Sequence, residues 1–73
     1  MKNLVTLVSV GIKDDHGVAN RINFAQYHDT VSGAEEYKVI YANEMKEKVV
    51  TKEEGNRIYK EVIKNAYFRI KVV

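Results

Sequence analysis

Both phases of the alternation in the first dozen residues are apolar. Leu4, Thr6, Val8, Val10 and Ile12 form one period-2 set, and Val5, Leu7, Ser9 and Gly11 form the other. Valine and isoleucine dominate, and such residues pack well on a pleated surface. A strand apolar on both phases is one covered on both sides, so Met1 to Ile12 is predicted to be an inner strand. Lys13-Asp14-Asp15-His16-Gly17 then breaks the pattern with turn-forming residues. Alternation resumes from Val18 to His28, with Ile22, Phe24 and Gln26 on one side and Arg21, Asn23, Ala25 and Tyr27 on the other. The two runs read as a β-hairpin.

After a second break at Asp29-Thr30-Val31-Ser32-Gly33, residues 34–48 support two readings. As a strand, Tyr37-Lys38-Val39-Ile40-Tyr41 is dense in β-formers, and Asn43 to Lys48 becomes a polar turn. As a helix, Ser32-Gly33-Ala34-Glu35 is a capping box, and Ala34, Tyr37, Tyr41 and Met45 share one face. The strand is preferred, because Val39-Ile40 flanked by tyrosines suits a sheet better.

Thr51-Lys52-Glu53-Glu54 is a cleaner capping box, with carboxylates at the positive end of a helix. Ile58, Tyr59, Val62, Ile63 and Ala66 follow at helical spacing as one apolar stripe. Gly55 lies on that stripe and costs up to about 1 kcal/mol relative to alanine. A glycine there predicts close approach of helix to sheet. Asn65 marks the helix end, and Phe68, Ile70 and Val72 alternate with Arg69 and Lys71 as a last strand. The expected fold class is α+β: a small, mostly antiparallel sheet in the order β-β-β-α-β, with one helix packed on one face. Residues 1–73 form a single domain.

Length changes what this pattern implies. A chain of 73 residues buries only about 60% of the surface its unfolded form exposes. Chains of this size often need a staple or a partner. There is no cysteine, so neither a disulfide nor a thiolate zinc site supplies one. One helix covers only one face of a sheet whose first strand is apolar on both. The leading reading is a small interaction or regulatory module that self-associates through a sheet face or an edge strand, most simply as a homodimer. Val5, Leu7 and Tyr27 are the expected self-association residues. A tyrosine-bearing sheet face also suits another protein partner.

Charge is unevenly spread. Residues 1–45 carry four basic and six acidic side chains, a net −2, and residues 46–73 carry eight and four, a net +4. Arg57, Lys60 and Lys64 fall on one helix face, and Arg69 and Lys71 lie on the last strand. Such a basic half can follow a phosphate backbone, so these five residues are the candidate nucleic-acid contacts of an alternative reading. Glu53 projects among the helix cations and is placed to pair with Arg57 at i,i+4. On a sheet face left open by the helix, Arg21, Tyr27, Arg69 and Lys71 are expected to lie together with tyrosines of the third strand. Single-stranded nucleic-acid binders stack bases on such an arrangement, although no RNP-like motif is present.

Candidate chemistry is sparse. Asp14-Asp15-His16 and His28-Asp29 each set an imidazole beside a carboxylate, as acid–base work requires, and a small enzyme is the third reading. Both pairs lie at predicted turns, at opposite ends of the hairpin, so one shared site is not expected. No nucleophile elbow or phosphate-binding glycine loop is present. No catalytic residue, metal ligand or cofactor is assigned. The apolar start is interrupted by Thr6 and Ser9 and lacks a small-residue cleavage site, which favours a strand over a signal peptide. No run approaches the roughly 18 apolar residues that span a bilayer, so no membrane partner is expected, and the absence of cysteine and of a signal peptide together favour the cytoplasm. The lysine-, glutamate-, isoleucine- and asparagine-rich, proline-free make-up suggests an AT-rich bacterial or phage genome, where small accessory proteins are plentiful.

Overall fold

The computed structural model describes all residues, Met1–Val73. The chain forms β1 (Lys2–Lys13), β2 (Ala19–Asp29), β3 (Glu35–Tyr41), a 3-10 turn (Ala42–Glu44), β4 (Lys46–Val50), α1 (Lys52–Ile63) and β5 (Ala66–Lys71). The strands make one sheet in the order β4-β3-β2-β1-β5, and every neighbouring pair is antiparallel. The α+β architecture with one helix therefore holds. Residues 34–48 resolve in favour of the strand over Glu35–Tyr41. Beyond it the chain does more than turn: Lys46–Val50 folds back on β3 as a further, edge strand. No helix is long and apolar enough to cross a membrane.

Side-chain chemistry sets both hairpin turns. Asp14 Oδ1 accepts the N–H groups of His16 and Val18 at 2.9 Å each. Asp29 Oδ1 accepts those of Val31 at 2.9 Å and Ser32 at 3.2 Å. Gly17 and Gly33 take φ of +77° in these turns, a conformation open to glycine at no steric cost. The β3–β4 connection uses Met45 at φ +52°.

Helix α1 starts as its capping box predicts in one half only. Thr51 Oγ1 accepts from the Glu54 N–H at 3.1 Å. The Glu54 carboxylate does not reach back to the cap; it accepts from Arg57 Nη2 at 2.7 Å. The helix leaves edge strand β4 and delivers the chain to the opposite edge strand β5, so it crosses one face of the sheet from side to side.

Cross-strand register assigns the faces. Val8, Phe24 and Val39 lie in one row, and Val10, Ile22 and Tyr41 in the next. These rows face the helix, since the Phe24 ring meets Tyr59 of α1 edge-to-face at 5.2 Å. Val10 and Val39 are fully buried and Ile22 nearly so; each such side chain contributes about 1.5–3 kcal/mol of burial. On the helix, Ile58, Tyr59, Val62 and Ile63 are only half-buried. Ser9, Gly11 and Ala25, the other buried residues, point to the opposite face. In all, only 6 of 73 residues are buried, which leaves a thin core.

Two predicted features come out differently. Strand β1 carries a bulge: Leu4 pairs with Tyr27 and Thr6 with Gln26, which leaves Val5 unpaired between them. The bulge exchanges the faces of the strand, so Leu4 lies on the same side as Leu7, Ser9 and Gly11, and the two period-2 sets do not persist from end to end. Gly55 does not mark close approach. A Cβ there would meet only Val50, at 3.4 Å. The close approach is at Gly11, where a Cβ would lie 1.9 Å from a ring carbon of Phe68.

Candidate functional site

The face of the sheet turned away from α1 has no covering element, and it is the candidate interaction surface. Three strands build its apolar part. Leu4 and Leu7 come from β1, Tyr27 from β2, and Phe68 and Ile70 from β5, which pair with Gly11 and Ser9. Leu4 is 40% and Ile70 52% exposed, while Leu7, Tyr27 and Phe68 are half-buried. Beyond the end of β5 the chain stays beside β1, with the Val72 N–H donating to the Leu7 carbonyl at 2.7 Å.

Small residues flatten the middle of this face: Ser9, Gly11 and Ala25 leave little relief. Ser9 and Asn23 stand opposite each other across β1 and β2. Ser9 Oγ and Asn23 Oδ1 are buried without a hydrogen-bond partner, an uncommon condition for buried polar atoms. Over Gly11 lies the Phe68 ring, and the Arg21 guanidinium stacks on that ring 5.1 Å from its centroid.

A charged ladder closes the other half of the face. Lys2 Nζ donates to Glu36 Oε2 at 2.8 Å, and Lys38 Nζ lies 3.8 Å from Glu36 and 3.4 Å from Glu47. Lys38 also sits over the Tyr27 ring at 5.5 Å. The bond from Lys2 holds the Glu36 carboxyl below the ordinary range, and the same bond raises the Lys2 ammonium. The apolar part on β1, β2 and β5 thus borders a mixed-sign surface on β3 and β4, which Lys2 of β1 joins and in which Ile40 and Val49 are interspersed.

Of the expected self-association residues, Leu7 and Tyr27 stand on this face. Val5 is the unpaired bulge residue, 45% exposed. Sequence reasoning did not select Leu4, Phe68 and Ile70. The alternation of β5 shows that Phe68 and Ile70 share a side, but not which side; that depends on pairing with β1.

The five candidate nucleic-acid contacts lie elsewhere. Arg69 and Lys71 pair with Val10 and Val8, which puts them on the helix side of β5 and not on the open face with Arg21 and Tyr27. Arg69 stacks over Tyr59 of the helix at 5.9 Å. On α1, Arg57 is held by Glu54 at 2.7 Å, not by Glu53, and Lys64 lies 3.5 Å from Glu61. Lys60 has no ion-pair partner within 4 Å, since it enters none of the salt bridges.

The Asp-His pairs are turn-building groups. Asp14 and Asp29 direct their carboxylates at turn amides, and those bonds from Val31 and Ser32 hold the Asp29 carboxyl below its usual value. His16 sits at the tip of the β1–β2 hairpin, while His28 pairs with Asn3 near its open end. No three His, Cys, Asp or Glu side chains gather as a metal-binding group. The chain matches no protein-family model, no curated protein and no solved structure.

Proposed function

We propose that the protein is a small interaction module that works as a homodimer, two copies meeting through the helix-free face of the sheet. One observation carries this reading: a five-stranded sheet is covered by a single helix, and its other face presents Leu4, Leu7, Tyr27, Phe68 and Ile70. Surface area supports it. The chain exposes 5146 Å², whereas a compact monomer of 8.4 kDa is expected to expose about 4,600 Å². A specific interface takes roughly 800 Å² from each partner, which one sheet face supplies. The face is preferred over the edges. Lys46, Glu47 and Lys48 on β4, and Arg69 and Lys71 on β5, place charge along both edge strands, a usual guard against edge pairing.

Sedimentation equilibrium across micromolar concentrations tests the reading, with the wild type expected as a dimer. Ile70→Lys and Leu7→Lys place charge in the interface and should give folded monomers. A wild type that stays monomeric throughout would sink the proposal.

An alternative, nucleic-acid binding, is favoured by one observation: Arg57, Lys60, Lys64, Arg69 and Lys71 all lie on the helix side of the sheet. Fluorescence polarisation with single- and double-stranded probes at two salt concentrations tests it, since binding through phosphates weakens steeply with salt. Absence of binding at low salt eliminates it.

A further inference from the structure

Folding regroups the charge of this chain. Strands β3 and β4 together carry three basic and three acidic side chains, and α1 three of each, so neither group has a net charge. Strands β1, β2 and β5 carry five basic side chains, Lys2, Lys13, Arg21, Arg69 and Lys71, against the single acid Asp29. Lys2 and Asp29 stand at the far end of the β1–β2 hairpin, where Lys2 is bonded to Glu36 and Asp29 to the Met1 amine. The other four cations gather at edge strand β5, and all are exposed.

These four are held differently from the rest. On β3 and α1, carboxylates hold the cations, with Lys38 at 3.4 Å from Glu47 and Arg57 at 2.7 Å from Glu54. Around β5, rings hold them. Lys13 lies 5.0 Å from the Tyr67 centroid, Arg21 5.1 Å from that of Phe68, and Arg69 5.9 Å from that of Tyr59. None of Lys13, Arg21, Arg69 and Lys71 enters an ion pair. A ring attracts a cation through its quadrupole and brings no opposite charge. The acids next to Lys13, Asp14 and Asp15, lie past the strand in the hairpin turn, where the Asp14 carboxylate accepts from two backbone amides.

The backbone also turns an aromatic outward there. Phe68 pairs with Gly11 and Ala66 with Ile12, which leaves Tyr67 as an unpaired bulge residue. Consecutive strand residues ordinarily point to opposite faces. The bulge re-aims Tyr67, so its ring stands beside that of Phe68, 5.0 Å between centroids, and the residue stays 51% exposed. An exposed ring among cations that no carboxylate neutralises suits a stacked base with phosphates on either side.

We propose that the outer edge of β5 binds single-stranded nucleic acid, one base stacking on Tyr67 and the backbone running past Lys13, Arg21, Arg69 and Lys71. A duplex would not serve, since its bases are stacked on one another and present no face to Tyr67. The proposal rests on the nucleic-acid reading above and moves its centre from the helix to β5. Face-to-face pairing of two copies leaves the sheet edges free, so the site neither requires nor excludes the dimer.

Fluorescence polarisation of the full chain with labelled oligothymidylate, at about 50 and 200 mM salt, tests the proposal. Saturable binding is expected, tighter than to the same strand annealed to its complement, and four phosphate contacts should weaken it roughly 50-fold across that salt range. Tyr67→Ala should weaken binding about fivefold or more, and Tyr67→Phe, which keeps the ring, should weaken it less. Arg69→Gln with Lys71→Gln should lower the salt exponent by about 1.4. This pair also serves should Tyr67→Ala misfold. Lys46→Gln with Lys52→Gln removes the same charge elsewhere and should have the smaller effect. No binding at the lower salt would overturn this proposal together with the nucleic-acid reading. Binding that Lys60→Gln abolishes and Tyr67→Ala leaves intact would overturn the β5 site alone. Equal competition by polyglutamate, which has no base to stack, would overturn it too.

Discussion

Phe68 lays its ring against the backbone of Gly11, in the space where any other residue would carry its Cβ; the clash would be at 1.9 Å. This contact joins edge strand β5 to β1, and the Arg21 guanidinium lies over the same ring, 5.1 Å from its centroid. Gly11→Ala must expel the ring, so a loss of about 1–3 kcal/mol is expected, read by urea denaturation. Phe68→Leu on that background should recover part of the loss. A Gly11→Ala protein as stable as wild type would show that the ring is not held there.

Gly55 should behave in the opposite way. An added methyl there meets only Val50 at ordinary contact distance and removes the conformational cost of a helical glycine. Gly55→Ala is therefore expected to stabilise the fold by up to about 1 kcal/mol, measured in the same denaturation series.

Ser9→Ala should cost nothing and is expected to stabilise by about 1 kcal/mol. Ser9 Oγ is buried without a partner, so its removal relieves a desolvation penalty and breaks no bond. A clear destabilisation would reveal a hydrogen bond that Ser9 makes in solution.

The two halves of the capping box separate by mutation. Thr51→Ala removes the acceptor for the Glu54 N–H and should cost about 1 kcal/mol. Glu54→Gln leaves that bond in place and loses only exposed pairings, with Arg57 at 2.7 Å and Lys48 at 4.0 Å, so its thermal midpoint should stay close to wild type.

Acid should weaken the fold in a definite window. Glu36 is held below its ordinary 4.5 first by the bond from Lys2, Glu54 below 4.5 first by Arg57, and Asp29 below 3.8 first by the Val31 amide. Because the folded values lie below the unfolded ones, this contribution is complete above the unfolded values and is lost as pH falls through the folded ones. Thermal midpoints should hold from pH 7 to about 5 and fall below about 4.5, and Glu36→Gln should shallow that fall. A flat profile down to pH 3 would contradict the assignment of these bonds.

Much of the architecture was legible because local chemistry decides it. Alternation located β1, β2 and β5, and Thr51 marked the start of the helix. Strand β4 was missed because Lys46-Glu47-Lys48 reads as a polar turn, and an edge strand needs little apolar content once β3 supplies the ladder. The face of β5 was misjudged for another reason: its side is set by pairing with a strand some 60 residues away, and the sequence has no local trace of that phase. The bulge at Val5 is a third case, since one extra residue exchanges every later side chain of β1 between faces. Of the open surface, Leu7 and Tyr27 were visible, while Leu4, Phe68 and Ile70 depended on these long-range registers.

The strand order also bears on how the chain folds. Strands β1 to β4 form a meander of consecutive hairpins, each closed by a short turn. Strand β5 joins only β1, as in the pairing of Arg69 with Val10, and must close a loop of roughly 60 residues to do so, an entropic cost that local hairpins avoid. The meander is expected to form first, with helix and last strand annealing onto it together. Native-state hydrogen exchange should then find the amides of β5 opening at lower free energy than those of β2, so the strand bearing Phe68 and Ile70 is also the one that reports whether the open face is covered.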